Sequence, residues 1–357
     1  MERKEPGNAL RQERSGHFAL IKVGINGFGT IGRRVADAVK KQDDMELVGV
    51  TKTKPDYKSM VAEKKGIPMY AVDVKSLETF RAAGVNVKGV LNDLLQRVDV
   101  IVDAAPEDTG AFNKPIYQQA SVKAVFQGGA GDNLADASFV AQCNFEEAIG
   151  KRTVQVVSCN TTGLCRTIST IDRAVGVTKA RAVLARRATD PDDVKKGPID
   201  AVVLDPTTLP SHHGPDVQAV LKGLNIVTMA FKVPTTHMHL HSLILSLRKP
   251  ATREDLVAAL GAAPRIQLVD GKSGYKSTAA IIDWARDLGR PRNDVYEATV
   301  WKDSVSIVDG EAYMFMAVHQ EAIVVPENID AIRALYGGYI REESMKLTDT
   351  SLGIVHR

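Results

Sequence analysis

Residues 27–32 read Gly-Phe-Gly-Thr-Ile-Gly, and they stand where a strand must turn into a helix. The run Leu20–Ile25 is apolar throughout apart from Lys22, while Gly32–Lys41 places Val35, Ala38 and Val39 on one helical face. Few folds require three glycines at such a junction. The first, Gly27, permits the tight turn; Gly29 lets the backbone approach a phosphate; Gly32 lets helix and strand lie close. The helix start then presents N–H donors and a positive dipole end to an anion. Together these features predict a dinucleotide-binding loop rather than a plain glycine turn.

The segments that follow support the same architecture. Glu46–Val50, Met69–Val72, Val98–Asp103 and Lys123–Phe126 read as strands alternating with helical stretches, which predicts βαβ units around a parallel sheet. After a strand at Val154–Val157 and a helix from about Asn160 to Val175, the pattern changes. Longer strands at Ala180–Arg187, Ile226–Val233, Met238–Leu247, Tyr296–Trp301 and Tyr313–Val318 predict a second, mostly antiparallel sheet. The stretch between Thr189 and Pro215 is rich in Pro, Asp, Gly and His and reads as a long functional loop. Pro326 opens a last helix at a position that tolerates proline. The expected fold is therefore α/β: a Rossmann doubly wound parallel sheet, then an α+β domain. With 357 residues, 44% of them hydrophobic, the chain can bury two cores. Residues 1–20 are charged and lack the apolar centre of a secretory signal, so they are expected to form a poorly ordered extension.

Composition excludes several function classes. The 46 basic and 43 acidic residues leave a formal charge of +3, too small for an extended nucleic-acid surface. Aromatics at 5% argue against a base-stacking platform. Nowhere is there an uncharged apolar run long enough to span a bilayer, so no membrane association is expected. The cysteines Cys143, Cys159 and Cys165 are odd in number and contain no C-x-x-C pair. That argues against a disulfide scaffold or a cysteine zinc site and fits a reducing cytoplasm. His237, His239 and His241 alternate on one strand and share a face if it is regularly extended. Since no carboxylate or cysteine stands at ligand spacing nearby, no metal is expected.

Two further segments carry chemistry. About twenty residues beyond the glycine loop, an NAD-specific site would carry an acid for the ribose 2′-hydroxyl. Here the chain reads Val50-Thr51-Lys52-Thr53-Lys54. Lys52 and Lys54 would attract a 2′-phosphate, so NADP should be accepted alongside NAD. Ser158-Cys159-Asn160-Thr161-Thr162-Gly163 lies at a strand end just before a helix. A cysteine there faces the positive end of the helix dipole, which favours thiolate. Thiolate attack on an aldehyde gives a hemithioacetal, which yields hydride and leaves a thioester. Backbone N–H groups at the helix start can hold the oxyanion. Cys143 and Cys165 read as inert.

The segment Ser-Cys-Asn-Thr-Thr-Gly-Leu-Cys-Arg at 158–166 resembles the active-site segment of archaeal, type II, phosphorylating glyceraldehyde-3-phosphate dehydrogenases. So does Gly-Ile-Asn-Gly-Phe-Gly-Thr-Ile-Gly-Arg-Arg-Val at 24–35. The resemblance runs from about Lys22 to the C-terminus and leaves only the leading extension outside. It implies a Rossmann domain over 21–158, completed by a C-terminal helix within 326–357, a catalytic domain over 159–325, and a homotetramer. It implies cofactor contacts from Thr30, Ile31, Gly129, Arg187 and Gln320, and substrate contacts from Ser158, Cys159, Asn160, His212 and His213. Glyceraldehyde 3-phosphate and inorganic phosphate are the implied substrates. Thr162, at the helix start, joins Arg187, His212 and His213 as a candidate for the two anion sites these substrates need.

Proton transfer from the hemithioacetal calls for a group titrating near neutrality, and histidine is the natural choice. The family pattern Thr-Thr-x-Met-His-x-His makes His237 the variable position. His239, nearer the beginning of the strand, is the expected base, with His241 structural. The rival readings are another cysteine-dependent semialdehyde dehydrogenase or acyl-phosphate reductase, and a non-catalytic NADP-sensing regulator. The histidine pair in the long loop argues against the first. A fast-reacting cysteine would argue against the second.

Overall fold

The structure is a computed structural model that describes residues 20–106, 109–128, 134–190 and 195–354. The expected extension at 1–20, apart from Leu20, and Gly129 lie outside the described residues.

The first half of the chain forms a wholly parallel sheet. Its strands are β1 (Ile21–Asn26), β2 (Met45–Lys52), β3 (Met69–Ala71), β4 (Val100–Asp103), β5 (Lys123–Gln127), β6 (Ser138–Phe139) and β7 (Thr153–Val156). They lie side by side in the order β3-β2-β1-β4-β5-β7-β6. Strand order reverses between β1 and β4, the crevice where doubly wound sheets take ligands. Six helices connect these strands: α1 (Thr30–Val39), α2 (Tyr57–Lys64), α3 (Val74–Ala82), α4 (Leu91–Leu95), α5 (Gly110–Gln119) and α6 (Ala141–Asn144). The periodicity seen in the sequence is the packing face: Val35, Ala36, Ala38 and Val39 of α1 are fully buried or nearly so. Because all seven strands run the same way, the loops after β1, β2, β5 and β7 emerge at one edge.

Helix α7 (Cys159–Val175) leaves β7 and lies against the second sheet, with Asn160–Ile171 buried along its whole length. That sheet contains β8 (Val177–Arg187), β9 (Val203–Leu204), β10 (Ile226–Val233), β11 (His239–Leu247), β12 (Ile266–Val269), β13 (Ala298–Trp301), β14 (Ser306–Val308) and β15 (Glu311–Val318). Five of its seven pairings are antiparallel; β8 with β10 and β12 with β13 are parallel. The sheet is thus mixed, as a β8-to-β10 crossover through α8 (His213–Val220) requires. The stretch expected as one loop at Thr189–Pro215 therefore contains β9 and the start of α8.

Helices α9 (Arg253–Ala262) and α10 (Thr278–Asp287) flank the second sheet, and the chain then returns to the first through α11 (Val325–Tyr336) and α12 (Arg341–Leu352). Charge fixes that return. Arg333 of α11 donates to Asp44 at 2.7 Å and to Gln42 at 2.8 Å, both in the α1–β2 connection. Deeper, Glu327 accepts from Arg166 Nε at 3.1 Å, from Arg265 Nη1 at 3.2 Å and from the Ala141 N–H at 2.6 Å. Arg265 also meets Asp330 at 2.5 Å and Asp349 at 2.8 Å. All of these side chains are almost wholly excluded from solvent.

Candidate active site

The three glycines divide the work as their order suggested. A Cβ on Gly27, whose φ is +105°, would stand 2.7 Å from the Ala104 carbonyl oxygen, and one on Gly32 would stand 1.8 Å from that of Gly27. On Gly29 it would meet nothing within 4 Å, so the backbone there borders open space that a pyrophosphate can use. Gly29 caps α1 without a side-chain hydrogen bond, leaving that task to an anion. Beneath the loop, Thr51 Oγ1 accepts the Gly27 N–H at 3.0 Å and donates to Asn26 Oδ1 at 2.5 Å. Asn26 donates to the Tyr117 hydroxyl at 2.7 Å, which donates to Asp103 at 2.8 Å. This buried chain crosses β1, β2, β4 and α5 and holds the turn in shape. The residues present fit a dinucleotide.

Lys52 ends β2 at the same edge, with Nζ 2.9 Å from Asp56 Oδ2. Burial pulls its ammonium below the ordinary value; Asp56 opposes that shift, and the neighbouring Lys58 and Arg33 add to it. Lys54 is exposed. Arg33, a neighbour that sequence reading passed over, donates through Nε to the Gly29 carbonyl at 3.1 Å.

The nucleophile candidate stands at the same edge, at the first residue of α7. Ser158 caps the helix, its Oγ accepting from the Thr161 N–H at 3.3 Å. Cys159 faces a cavity of about 450 Å³ that is also lined by Ile31, Ser158, Arg186, Arg187, Lys196, Lys232, His239, Gln320 and Glu321. The sulfur is not held as a thiolate. Burial pushes the thiol up to about 11; Arg186, Arg187 and the Asn160 N–H pull it down, while Asp190 adds to the rise. The lowering expected from the helix dipole is thus outweighed by desolvation. Cys165 is fully buried and Cys143 lies 3.4 Å from Ser169 Oγ, with burial raising both thiols.

His239 opens β11, and of the three histidines on this segment it alone lines that cavity. His237 does not share its face. Met238 has φ +62°, so the chain is not regularly extended, and His237 is exposed beside a different cavity. His239 Nδ1 accepts the Arg187 N–H at 2.9 Å. The neutral ring therefore carries its proton on Nε2, and burial, with Arg186, His241 and Arg187, keeps it neutral by pushing its pKa well below the ordinary value. As placed, His239 is a hydrogen-bond donor, which revises the base role expected from sequence: base action at Nε2 would set an Nδ1–H against the Arg187 N–H.

Four other expectations are corrected, three of them by burial. His213 is fully buried, with Nε2 3.1 Å from Asn160 Nδ2 and Nδ1 3.1 Å from Ser211 Oγ, so neither nitrogen is left for a phosphate. His212 stacks on its ring with centroids 4.0 Å apart and is exposed. Asn160 is buried, its carboxamide taken by His213 and His241. Thr162 is buried within the helix, and its N–H donates to the Ser158 carbonyl at 2.8 Å. None of these four lines the cavity.

The cationic groups that do line it were mostly missed. Arg187 was expected, and it is spoken for: it pairs with Asp190, with Glu321 at 2.9 Å, and with the Gln320 amide oxygen in the orientation that satisfies both groups. Arg186 and Lys232 are cross-strand neighbours on β8 and β10 and share the Asp205 carboxylate. Arg186 Nε is buried with no partner among the described residues. The parallel register that joins them was the signal sequence reading lacked.

The described residues contain no cluster of histidine, cysteine, aspartate and glutamate able to hold a metal, and no helix long and apolar enough to cross a membrane. Residues 158–314 match the family model for the C-terminal domain of glyceraldehyde 3-phosphate dehydrogenase, and residues 21–131 match that for the N-terminus of dihydrodipicolinate reductase. The glyceraldehyde-3-phosphate dehydrogenase of Pyrococcus abyssi is 54% identical over 335 residues, covering 94% of this chain and 99% of that protein. That of Metallosphaera sedula is 52% identical over 335 residues, covering 94% and 98%. Glyceraldehyde-3-phosphate dehydrogenase 2 of Methanosarcina barkeri is 52% identical over 318 residues, covering 89% and 93%. With near-complete coverage at such identity, and a cysteine, a glycine loop and a shared cavity where the chemistry needs them, the chain belongs to the glyceraldehyde-3-phosphate dehydrogenase family, whose members use a nicotinamide cofactor.

Proposed function

We propose that this chain is a phosphorylating glyceraldehyde-3-phosphate dehydrogenase, in which Cys159 is the nucleophile and the product is 1,3-bisphosphoglycerate. The observation that carries the reading is the cavity itself: a cysteine at a helix start, a neutral histidine donor and a group of cations line one space beside the glycine loop. The thiol gives its proton to solvent before attack, because the thiolate is the nucleophile. Attack then gives a tetrahedral oxyanion directly. His239 Nε2–H holds that oxygen. A nicotinamide held by the glycine loop, Arg187 and Gln320 would supply the hydride acceptor for the carbon joined to Cys159, leaving a thioester on the sulfur. Attack of phosphate on the thioester carbonyl expels the Cys159 thiolate. Trapping the acyl phosphate with hydroxylamine tests this; a free acid as the sole product would overturn it.

Gly27, Gly29, Thr30, Ile31 and Gly32 bind the pyrophosphate in this reading, with Gly129, Arg187 and Gln320 nearer the nicotinamide. NADP is accepted alongside NAD through Lys52, with Lys54 and Arg33 close to it. Lys52→Met is expected to weaken NADP by about tenfold while NAD changes little, the scale of one charge-assisted hydrogen bond. Equal losses in titrations of both cofactors would remove Lys52 from the 2′-phosphate.

Arg186 and Lys232 take over the anion contacts expected of His212, His213 and Thr162. Two cations share one carboxylate, and Arg186 Nε has no partner among the described residues, so an anion completes the group. Lys232→Met should raise KM for glyceraldehyde 3-phosphate by about tenfold and leave unphosphorylated glyceraldehyde within about twofold. A uniform effect in steady-state assays would move the phosphate site elsewhere.

The chain divides, in this reading, into a cofactor domain at 21–158 with 326–357 and a catalytic domain at 159–325, working in the cytoplasm. A homotetramer is supported by the open face of the second sheet, where Met229 and Phe315 are 42% and 48% exposed and Val183, Phe231 and Ile244 are only half-buried. Sedimentation as a monomer at micromolar concentration would contradict it.

A further inference from the structure

Asn160 follows the nucleophile, yet its side chain turns away from the cavity into the protein. There its carboxamide is gripped at both ends. His241 Nε2 lies 2.9 Å from Asn160 Oδ1, and Asn160 Nδ2 lies 3.1 Å from His213 Nε2. Amide chemistry then fixes every proton. The oxygen accepts, so His241 donates from Nε2; the NH₂ donates, so His213 accepts at Nε2 and carries its proton on Nδ1. His213 Nδ1 donates to Ser211 Oγ at 3.1 Å, Ser211 donates to Thr228 Oγ1 at 2.8 Å, and Thr228 donates to the Ser211 carbonyl at 3.0 Å. The run points one way and ends on a backbone acceptor.

One atom is left over. His241 Nδ1 is fully buried and has no hydrogen-bond partner among the described residues. An unpaired buried acceptor is costly. It persists because the tautomer that would leave Nδ1 protonated would turn an acceptor at Nε2 toward the Asn160 oxygen, lone pair against lone pair. Burial keeps both rings neutral, pushing His213 to about 2 and His241 to about 3, so the arrangement holds across the working pH range. The order bears on the neighbouring residue: Asn160 directly follows Cys159 in the first turn of α7.

We infer that His213 and His241 are positioning residues for Cys159, gripping the Asn160 carboxamide from both sides so that the first turn of α7 holds the Cys159 sulfur at the cavity. The inference rests on the reading of Cys159 as nucleophile. It also explains why the loop histidine His213, expected at a substrate phosphate, is buried among α7, α8 and the strands beneath them.

Two isosteric substitutions separate the roles of the ring nitrogens. His213→Gln can set an oxygen where Nε2 stood and keep the acceptor for Asn160. His213→Asn can keep the donor to Ser211 but is too short to reach Asn160. The full-length enzyme is assayed with NADP, phosphate and glyceraldehyde 3-phosphate, and Cys159 is alkylated with iodoacetamide across pH. His213→Asn should lower kcat and slow alkylation by about tenfold, with KM for the aldehyde within about twofold, the signature of a lost positioning hydrogen bond. His213→Gln should recover both to within about threefold of wild type. Equal kcat and alkylation in the two variants overturns the inference, as does a raised KM with kcat preserved. Should His213→Asn fail to fold, His241→Gln and His241→Asn make the same comparison from the other side of the carboxamide. A wild-type enzyme that reduces no cofactor, or that labels at Cys143 in place of Cys159, defeats the nucleophile reading itself; equal variants of an active enzyme defeat only this step.

Discussion

Cys159→Ser is expected to lower aldehyde oxidation on the order of 10⁴-fold or more, because Cys159 is the one thiol lining the cavity among the described residues. Cofactor affinity should stay within about twofold, since the pyrophosphate loop and the cysteine lie on different elements, one after β1 and the other at the start of α7. Cys165→Ser should remain active, as its sulfur is sealed inside α7's packing face. The residual chemistry has a pH signature as well. With burial holding the Cys159 thiol up to about 11, the alkylation rate of the free enzyme should climb steadily from pH 7 toward that value. A rate already level between pH 6 and 9 would mean that the thiolate is preformed.

Glu327→Leu is expected to cost about 3–5 kcal/mol of stability, the penalty for leaving buried charge uncompensated. Its carboxylate accepts from Arg166, from Arg265 and from the Ala141 N–H, all out of water. Pairing Glu327→Leu with Arg166→Met should recover part of the loss, because removing both partners costs less than orphaning one. Burial raises the Glu327 carboxyl, but Arg166 and Arg265 outweigh it and hold it below its ordinary 4.5. Its stabilising contribution is therefore present above that ordinary value and is lost as pH falls through the folded-state value. Urea midpoints at pH 7 check the first effect; a loss under about 1 kcal/mol would show that the arginines find other partners.

Local features survived the passage from sequence to structure well. Glycines at fixed offsets, a helix beginning at Cys159 and a strand from Ile226 to Val233 are set by φ/ψ preferences and side-chain period, which neighbours along the chain determine. What was illegible depends on partners far away. His213 read as a substrate contact in a loop because its partner, Asn160, lies 53 positions earlier. Arg186 and Lys232 became neighbours only through a parallel pairing that no local pattern encodes. Nothing in the local pattern marks Arg166 and Arg265 as the anchors of the returning helix α11. His237 was assigned the same face as His239 on the premise of an extended strand, which Met238 breaks at φ +62°.

The central claim is that Cys159 carries the acyl group and phosphate removes it. The most direct test is the time course of cofactor reduction by wild-type enzyme with glyceraldehyde 3-phosphate, with and without inorganic phosphate. The account predicts a burst of about one reduced cofactor per chain without phosphate, then arrest, and sustained turnover once phosphate is added. Sustained turnover at the same rate without phosphate, or no burst with an enzyme that binds cofactor, would contradict it.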